Sequence, residues 1–171
     1  MIRCVAALII IALPGFSQAG KQARDDENQA LQNQRESAVL RDMPPVTIGD
    51  GLNDSALDEN SFRKAVYDTL SRYKIPVKWT PKPAPHTEAP SLFAIQQVER
   101  SDKGSSSTVM TLQLVDLVSL PRKDGNRPIL VVVWDAVDGD IFSPRQEKEA
   151  MLKLVNRLVE KFCLAYLAAN R

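Results

Sequence analysis

Two stretches of this chain repeat apolar residues at helical spacing, and the segments between them alternate or run apolar throughout. In the first stretch Phe62, Ala65, Val66, Thr69, Leu70 and Tyr73 keep an i, i+3, i+4, i+7, i+8 rhythm, with Arg63, Lys64, Asp68 and Arg72 on the other face. Asp58 stands where an N-cap belongs, and Pro76 ends the segment. In the last stretch Met151, Leu152, Val155, Leu158, Val159, Phe162, Cys163, Tyr166 and Leu167 form one apolar stripe to the chain end. Ser143-Pro144-Arg145-Gln146 predicts its start, with Ser at the cap, Pro at the first helical position and Gln at the third. At about 1.5 Å per residue this helix spans roughly 35–40 Å, enough to cross a small sheet.

The intervening segments read as strands. Val46-Thr47-Ile48 is a short candidate before the Gly49-Asp50-Gly51 turn, and Ile75, Val77 and Trp79 alternate as a second short one, at an edge because of Pro76. Pro81 to Pro90 is a proline-rich loop that favours extended geometry. Leu92 to Arg100 is followed by a polar turn through Ser101-Asp102-Lys103-Gly104 and a serine run. Val109 to Val118 alternates, with Met110, Leu112 and Leu114 on one side and Thr111 and Gln113 on the other. Ile129 to Val137 is apolar on both faces, which predicts a central strand. The order predicts an α+β two-layer sandwich: a four-stranded, largely antiparallel sheet with two helices (α-β-β-β-β-α) packed on one face.

The start of the chain belongs to a different class of segment. Arg3 precedes an unbroken apolar run from Val5 to Leu13, Pro14 and Gly15 break it, and Ser17-Gln18-Ala19 supplies the small residues of a cleavage site. Residues 1–19 are therefore expected to be a secretory signal, removed after Ala19, and the mature protein periplasmic or extracellular. The run is shorter than the roughly 20 apolar residues that cross a bilayer core, and no later segment is long and apolar enough to do so. Residues 20–44 are rich in charge and amide and poor in apolar surface, so a flexible polar tether is expected there. Residues 45–171 then form a single domain of ordinary size.

Composition narrows the partners. The chain carries 22 basic and 21 acidic side chains, and loss of Arg3 with the signal balances them. A nucleic-acid binder needs a concentrated basic face, so nucleic acid is not expected as a partner. Cys4 leaves with the signal, which makes Cys163 the sole thiol of the mature chain, expected to be buried on the apolar stripe.

The segment Gly51-Leu52-Asn53, then Leu57 and the first helix, then Tyr73-Lys74-Ile75-Pro76-Val77 resembles the opening of an uncharacterised family of small secreted bacterial domains, which read Gly-Leu, a helix and Gly-Ile-x-Val. The ending Tyr166-Leu167-Ala168-Ala169-Asn170 is similar to their closing helix, which ends Tyr-Leu-x-x-Asn-Pro. Tyr73-Lys74 stands where the family has its turn glycine, and Arg171 replaces the terminal proline. The predicted architecture is also similar to the amino-terminal domain of the periplasmic protein TolB. The likeness to TolB implies a protein-binding accessory role in the envelope, and neither resemblance implies an activity.

Candidate chemistry is thin. Trp134 to Asp140 is the densest acidic cluster, but it lacks the spacing of a calcium loop, and Asp138-Gly139 reads as a turn. His86, the only histidine, sits among prolines with no rigid scaffold to orient it. One His and one mature Cys leave no zinc set. Ser105-Ser106-Ser107 lacks a nucleophile elbow and is expected in a hairpin turn. No catalytic, cofactor-binding or metal residues are assigned, and no cofactor is expected. If the long helix covers the side carrying Trp134, strict alternation turns Val131 and Val133 outward, as a possible interface for a protein partner or a homodimer. The expected function is a non-enzymatic binding or accessory domain of the cell envelope. The alternative is a metal-independent hydrolase whose carboxylates assemble from different strands.

Overall fold

The computed structural model describes residues 26, 29–31, 34–35, 37–49, 57–80, 82, 90–101, 105–121 and 125–171. The expected signal, much of the expected tether, and His86 with most of its proline-rich loop lie outside the described residues. The chain divides into two compact units, Met1–Arg35 and Glu36–Arg171. In the first, the described residues Asp26, Gln29, Ala30, Leu31, Gln34 and Arg35 are helical.

The second unit is built on one mixed sheet. Its strands are β1 (Val46–Ile48), β2 (Val77–Lys78), β3 (Ser91–Arg100), β4 (Ser106–Leu120) and β5 (Arg127–Phe142), in the order β2-β1-β3-β4-β5. Helix α1 (Glu59–Arg72) joins β1 to β2, and α2 (Glu147–Ala169) closes the chain behind a 3-10 turn at Pro144–Gln146. The α+β class holds, but the expected four-stranded antiparallel sheet is corrected to five strands of mixed direction. β1 inserts between β2 and β3 and runs parallel to both, while β3, β4 and β5 are antiparallel. The cause is the α1 crossover, which returns the chain to the end where β1 began, so that β2 must enter parallel. All three β1 side chains are buried.

β5 is also corrected: it lies at the sheet edge, not at its centre. An apolar run on both faces reports what lies above and below a strand. It does not report whether both neighbours are strands.

One core fills the space between the helices and one face of the sheet. Met110, Leu112 and Leu114 of β4 and Trp134 of β5 meet Phe62, Val66 and Leu70 of α1 and Leu158, Val159 and Phe162 of α2. Each such Leu, Val, Met or Phe side chain removed from water stabilises the fold by about 1.5–3 kcal/mol. Leu40 and Met43 join this core, so the folded unit reaches back before Pro45. The Asn170 amide fastens that segment: its Nδ2 donates to Leu40 O at 2.9 Å, and its Oδ1 accepts from Asp42 N at 2.9 Å.

The helix ends follow local chemistry. Asp58 caps α1, its Oδ1 accepting from Ser61 N at 2.9 Å. At the other end Ile75 N bonds Leu70 O and Lys74 N bonds Ser71 O, a Schellman closure with Lys74 held at φ 58°. A lysine thus occupies the left-handed position that glycine fills at least cost. At α2 the expected capping box is replaced by the 3-10 turn, in which Ser143 Oγ donates to the Gln146 side chain and leaves the backbone N–H groups alone.

Candidate interaction surface

The face of β3, β4 and β5 turned away from the helices is open and carries exposed apolar side chains among polar ones. Cross-strand rows define it: Ile95, Thr111 and Val137 form one, Gln97, Val109 and Gly139 the next, and Glu99, Ser107 and Ile141 the last. Ile95 is 50% exposed and Val137 53% exposed, far from the burial expected of β-branched residues in a sheet. Towards β1 the same face is covered. There Thr47 and Ser91 are buried and hydrogen-bonded to each other, and the Phe93 ring lies so close over Gly49 that any Cβ there would overlap it.

A β-bulge then changes which residues are exposed. Leu114 pairs with Trp134, yet Val115 pairs with Val132, so Val133 is an extra residue in β5. The insertion reverses the alternation for everything before it. Leu130 and Val132 are exposed, at 42% and 50%, while Val131 is half-buried and Val133 packs against the core. The expected orientation of Val131 and Val133 is therefore corrected, because both lie on the helix side. Trp134 does face the helix, as its size requires, with its ring 5.1 Å from that of Phe162. The outward positions belong to Leu130 and Val132.

Beyond Val115, β3 no longer pairs with β4. Residues 116–120 and 127–131 continue as a two-stranded ribbon. Leu117 and Leu130 are exposed on one side of this ribbon and Val118 on the other. An isolated ribbon of this kind is marginal in water.

The open edge of β5 has two different halves. In the second half, α2 lies alongside and its cations reach over. Lys161 Nζ donates to Val137 O at 3.2 Å, and Arg157 Nη2 donates to Gly139 O at 3.4 Å. The N–H groups of Gly139 and Ile141 are taken by the side chains of Asp138 and Asp140, at 2.8 and 2.9 Å. Arg157 and Lys161 also pair with Asp138 at 3.2 and 3.1 Å. Burial works to raise the Asp138 carboxyl, but the hydrogen bonds from Arg157, Lys161 and Gly139 N–H prevail and hold it below the usual carboxylate range. Four backbone groups that could recruit another strand between residues 137 and 141, the C=O of Val137 and Gly139 and the N–H of Gly139 and Ile141, are thus occupied. In the first half, alternation turns the N–H and C=O of Leu130 and Val132 to the open side. Among the described residues nothing bonds them.

The acidic cluster is consequently no turn. Asp138-Gly139-Asp140 lies inside β5, where a Cβ on Gly139 would come within 3.1 Å of Thr108 O. Ser106 and Ser107 open β4 in place of a turn. Cys163 is buried, and desolvation first, then the Glu160 charge, pushes its thiol up to about 12, which leaves no thiolate at neutral pH. Among the described residues no group of three His, Cys, Asp or Glu side chains is placed to hold a metal ion, and no helix is long and apolar enough to cross a membrane.

Arg63, expected on the solvated side of α1, is buried. Its Nη2 donates to the carbonyls of Thr80 and Lys82, and its guanidinium lies 4.9 Å from the Trp79 ring centroid. Beside it, Asn60, Lys64, Tyr67, Asp68 and Trp79 line a shallow hollow of about 550 Å³. The sequence signals of the edge closure were present but separate: Asp138 and Asp140 at strand spacing, Arg157 and Lys161 at helix spacing. No family model matches the chain, and no curated protein does either.

Proposed function

We propose that this chain is a secreted or periplasmic, non-enzymatic binding domain that acts through protein–protein contact at the open face of its sheet. One observation carries the reading: Ile95, Val109, Val132 and Val137 stand exposed on contiguous strands with no cover among the described residues. Large apolar side chains grouped in the open on one sheet face mark interaction sites. The hydrolase alternative needs a carboxyl held protonated near neutral pH. Among the described residues the carboxylates that depart from their ordinary values, Asp58, Asp138 and Glu149, are all lowered, which supports the binding reading. The compartment rests on residues 1–19, and amino-terminal sequencing of the exported product should start at Gly20. An intact start retained in the membrane fraction would overturn that placement.

The binding face is tested with the double variant Ile95→Lys/Val137→Lys. Both side chains are exposed, so thermal unfolding should change little. Affinity capture from envelope extract should recover a protein with wild type and lose it with the variant. Equal capture by both, or capture by neither, refutes the reading.

A further inference from the structure

We infer that the open half of the β5 edge pairs with the same strand of a second copy of this chain, antiparallel about a two-fold axis at Val131. The inference rests on the binding reading above and names a partner for its least protected part. Its starting point is the asymmetry of one strand. From Val137 to Ile141 the edge is closed by Arg157, Lys161, Asp138 and Asp140, and from Leu130 to Val132 it presents bare backbone flanked by exposed apolar side chains. One half of the edge is thus largely blocked, and the open half is the part whose unpaired N–H and C=O groups can template pairing with another strand.

The geometry favours a copy of itself. With the axis at Val131, the open-side N–H and C=O of Leu130 face those of Val132 in the other copy, and the reverse holds by symmetry. Four backbone hydrogen bonds follow, and the residues opposite each other on the outer face are both apolar. The acidic residue at one end of the overlap, Asp135, comes beside the end that carries Arg127 of the other copy, so no like charges meet. By this register the closed half of each strand, Val137 to Ile141, lies past Arg127, where β5 of its mate begins, so it takes no part in the backbone pairing. The bulge at Val133 limits the overlap, because past it the backbone groups turn the other way. Two marginal two-stranded ribbons thereby become one four-stranded sheet.

The test uses protein purified from cells expressing the full chain. Sedimentation equilibrium should show a dimer in the micromolar range. Val132→Pro removes an open-side N–H without touching the β4 ladder, and should leave a monomer. Should that variant fail to fold, Leu130→Lys, at an exposed site, should still weaken the dimer by more than about tenfold. In a non-hydrogen-bonded pair the two Val131 Cα atoms lie about 4.5 Å apart, within disulfide reach, so Val131→Cys should form an intermolecular disulfide in air. Wild type, whose Cys163 is buried, and Val137→Cys in the closed half should cross-link far less. A monomeric wild type, a dimer indifferent to Leu130→Lys, or equal cross-linking of Val131→Cys and Val137→Cys overturns the pairing. The two proposals fail separately: a monomer that still loses its partner on Ile95→Lys/Val137→Lys leaves the binding face intact.

Discussion

Trp134 fixes the long helix to the strand that carries the exposed face, and its removal tests that attachment directly. The side chain is 5% exposed, and its ring meets Phe162 edge-on, with centroids 5.1 Å apart and planes at 71°. An aromatic side chain of this size removes about 200 Å² from water, which at about 25 cal/mol per Å² amounts to about 5 kcal/mol. Trp134→Ala should therefore destabilise the domain by about 3–5 kcal/mol, the range typical of such truncations. Against a total stability of about 5–15 kcal/mol that is a large share, and the variant should unfold at much lower urea. Phe162→Ala should cost a similar amount. In the double variant the two losses should fall short of additivity by about 0.5–1.5 kcal/mol, the worth of the ring pair beyond its area. Far-UV circular dichroism is the appropriate probe, because Trp79, 48% exposed, would dominate fluorescence once Trp134 is gone. A loss below about 1.5 kcal/mol, or coupling indistinguishable from zero, would show that α2 does not lie across β5 in this way.

Phe62 and Val159 are fully buried on α1 and α2, and truncating either to Ala should cost about 2–5 kcal/mol in the same assay, the valine at the lower end. Lys74→Gly should raise stability by about 0.5–1 kcal/mol, since φ 58° strains any residue with a Cβ, and a lower midpoint would show that the lysine side chain stabilises the turn. The Asp138 carboxyl is lowered in the folded state, so its contribution to stability is present above its unfolded value of about 4 and lost as pH falls through the folded one. Urea midpoints measured from neutral pH downward should accordingly fall less for Asp138→Asn than for wild type below about pH 4, and parallel curves would place the titration elsewhere.

The helices were legible in the sequence because their faces repeat. Phe62, Val66 and Leu70, or Leu158, Val159 and Phe162, carry a periodic contrast that survives any arrangement of the sheet. The place of β1 was not legible, for three residues hold no period, and its neighbours are set by where α1 returns the chain. Arg63 sits among charged residues on α1 and reads as solvated. Its burial depends on carbonyls at Thr80 and Lys82, which only the tertiary fold brings beneath it. The edge closure was hidden for a similar reason, since two pairs of ordinary charges become a lock only when α2 passes β5.

Strict alternation fails on β5 at the point where the sequence carries least information. Val131, Val132 and Val133 are the same residue three times, so alternation has no contrast there, and a bulge can shift its phase without leaving a mark. The shift has a physical consequence that strict alternation would not allow. On the far side of the bulge the strand turns Trp134 and the two carboxylates towards α2, where helix cations close its edge. On the near side it turns Leu130 and Val132 outward, beyond the reach of those cations. A single inserted residue thus divides one strand into a half anchored to the core and a half left available to another chain. Without the insertion, Val132 would share a side with Trp134 and Val131 would face out, so the position that decides between the two readings is Val133.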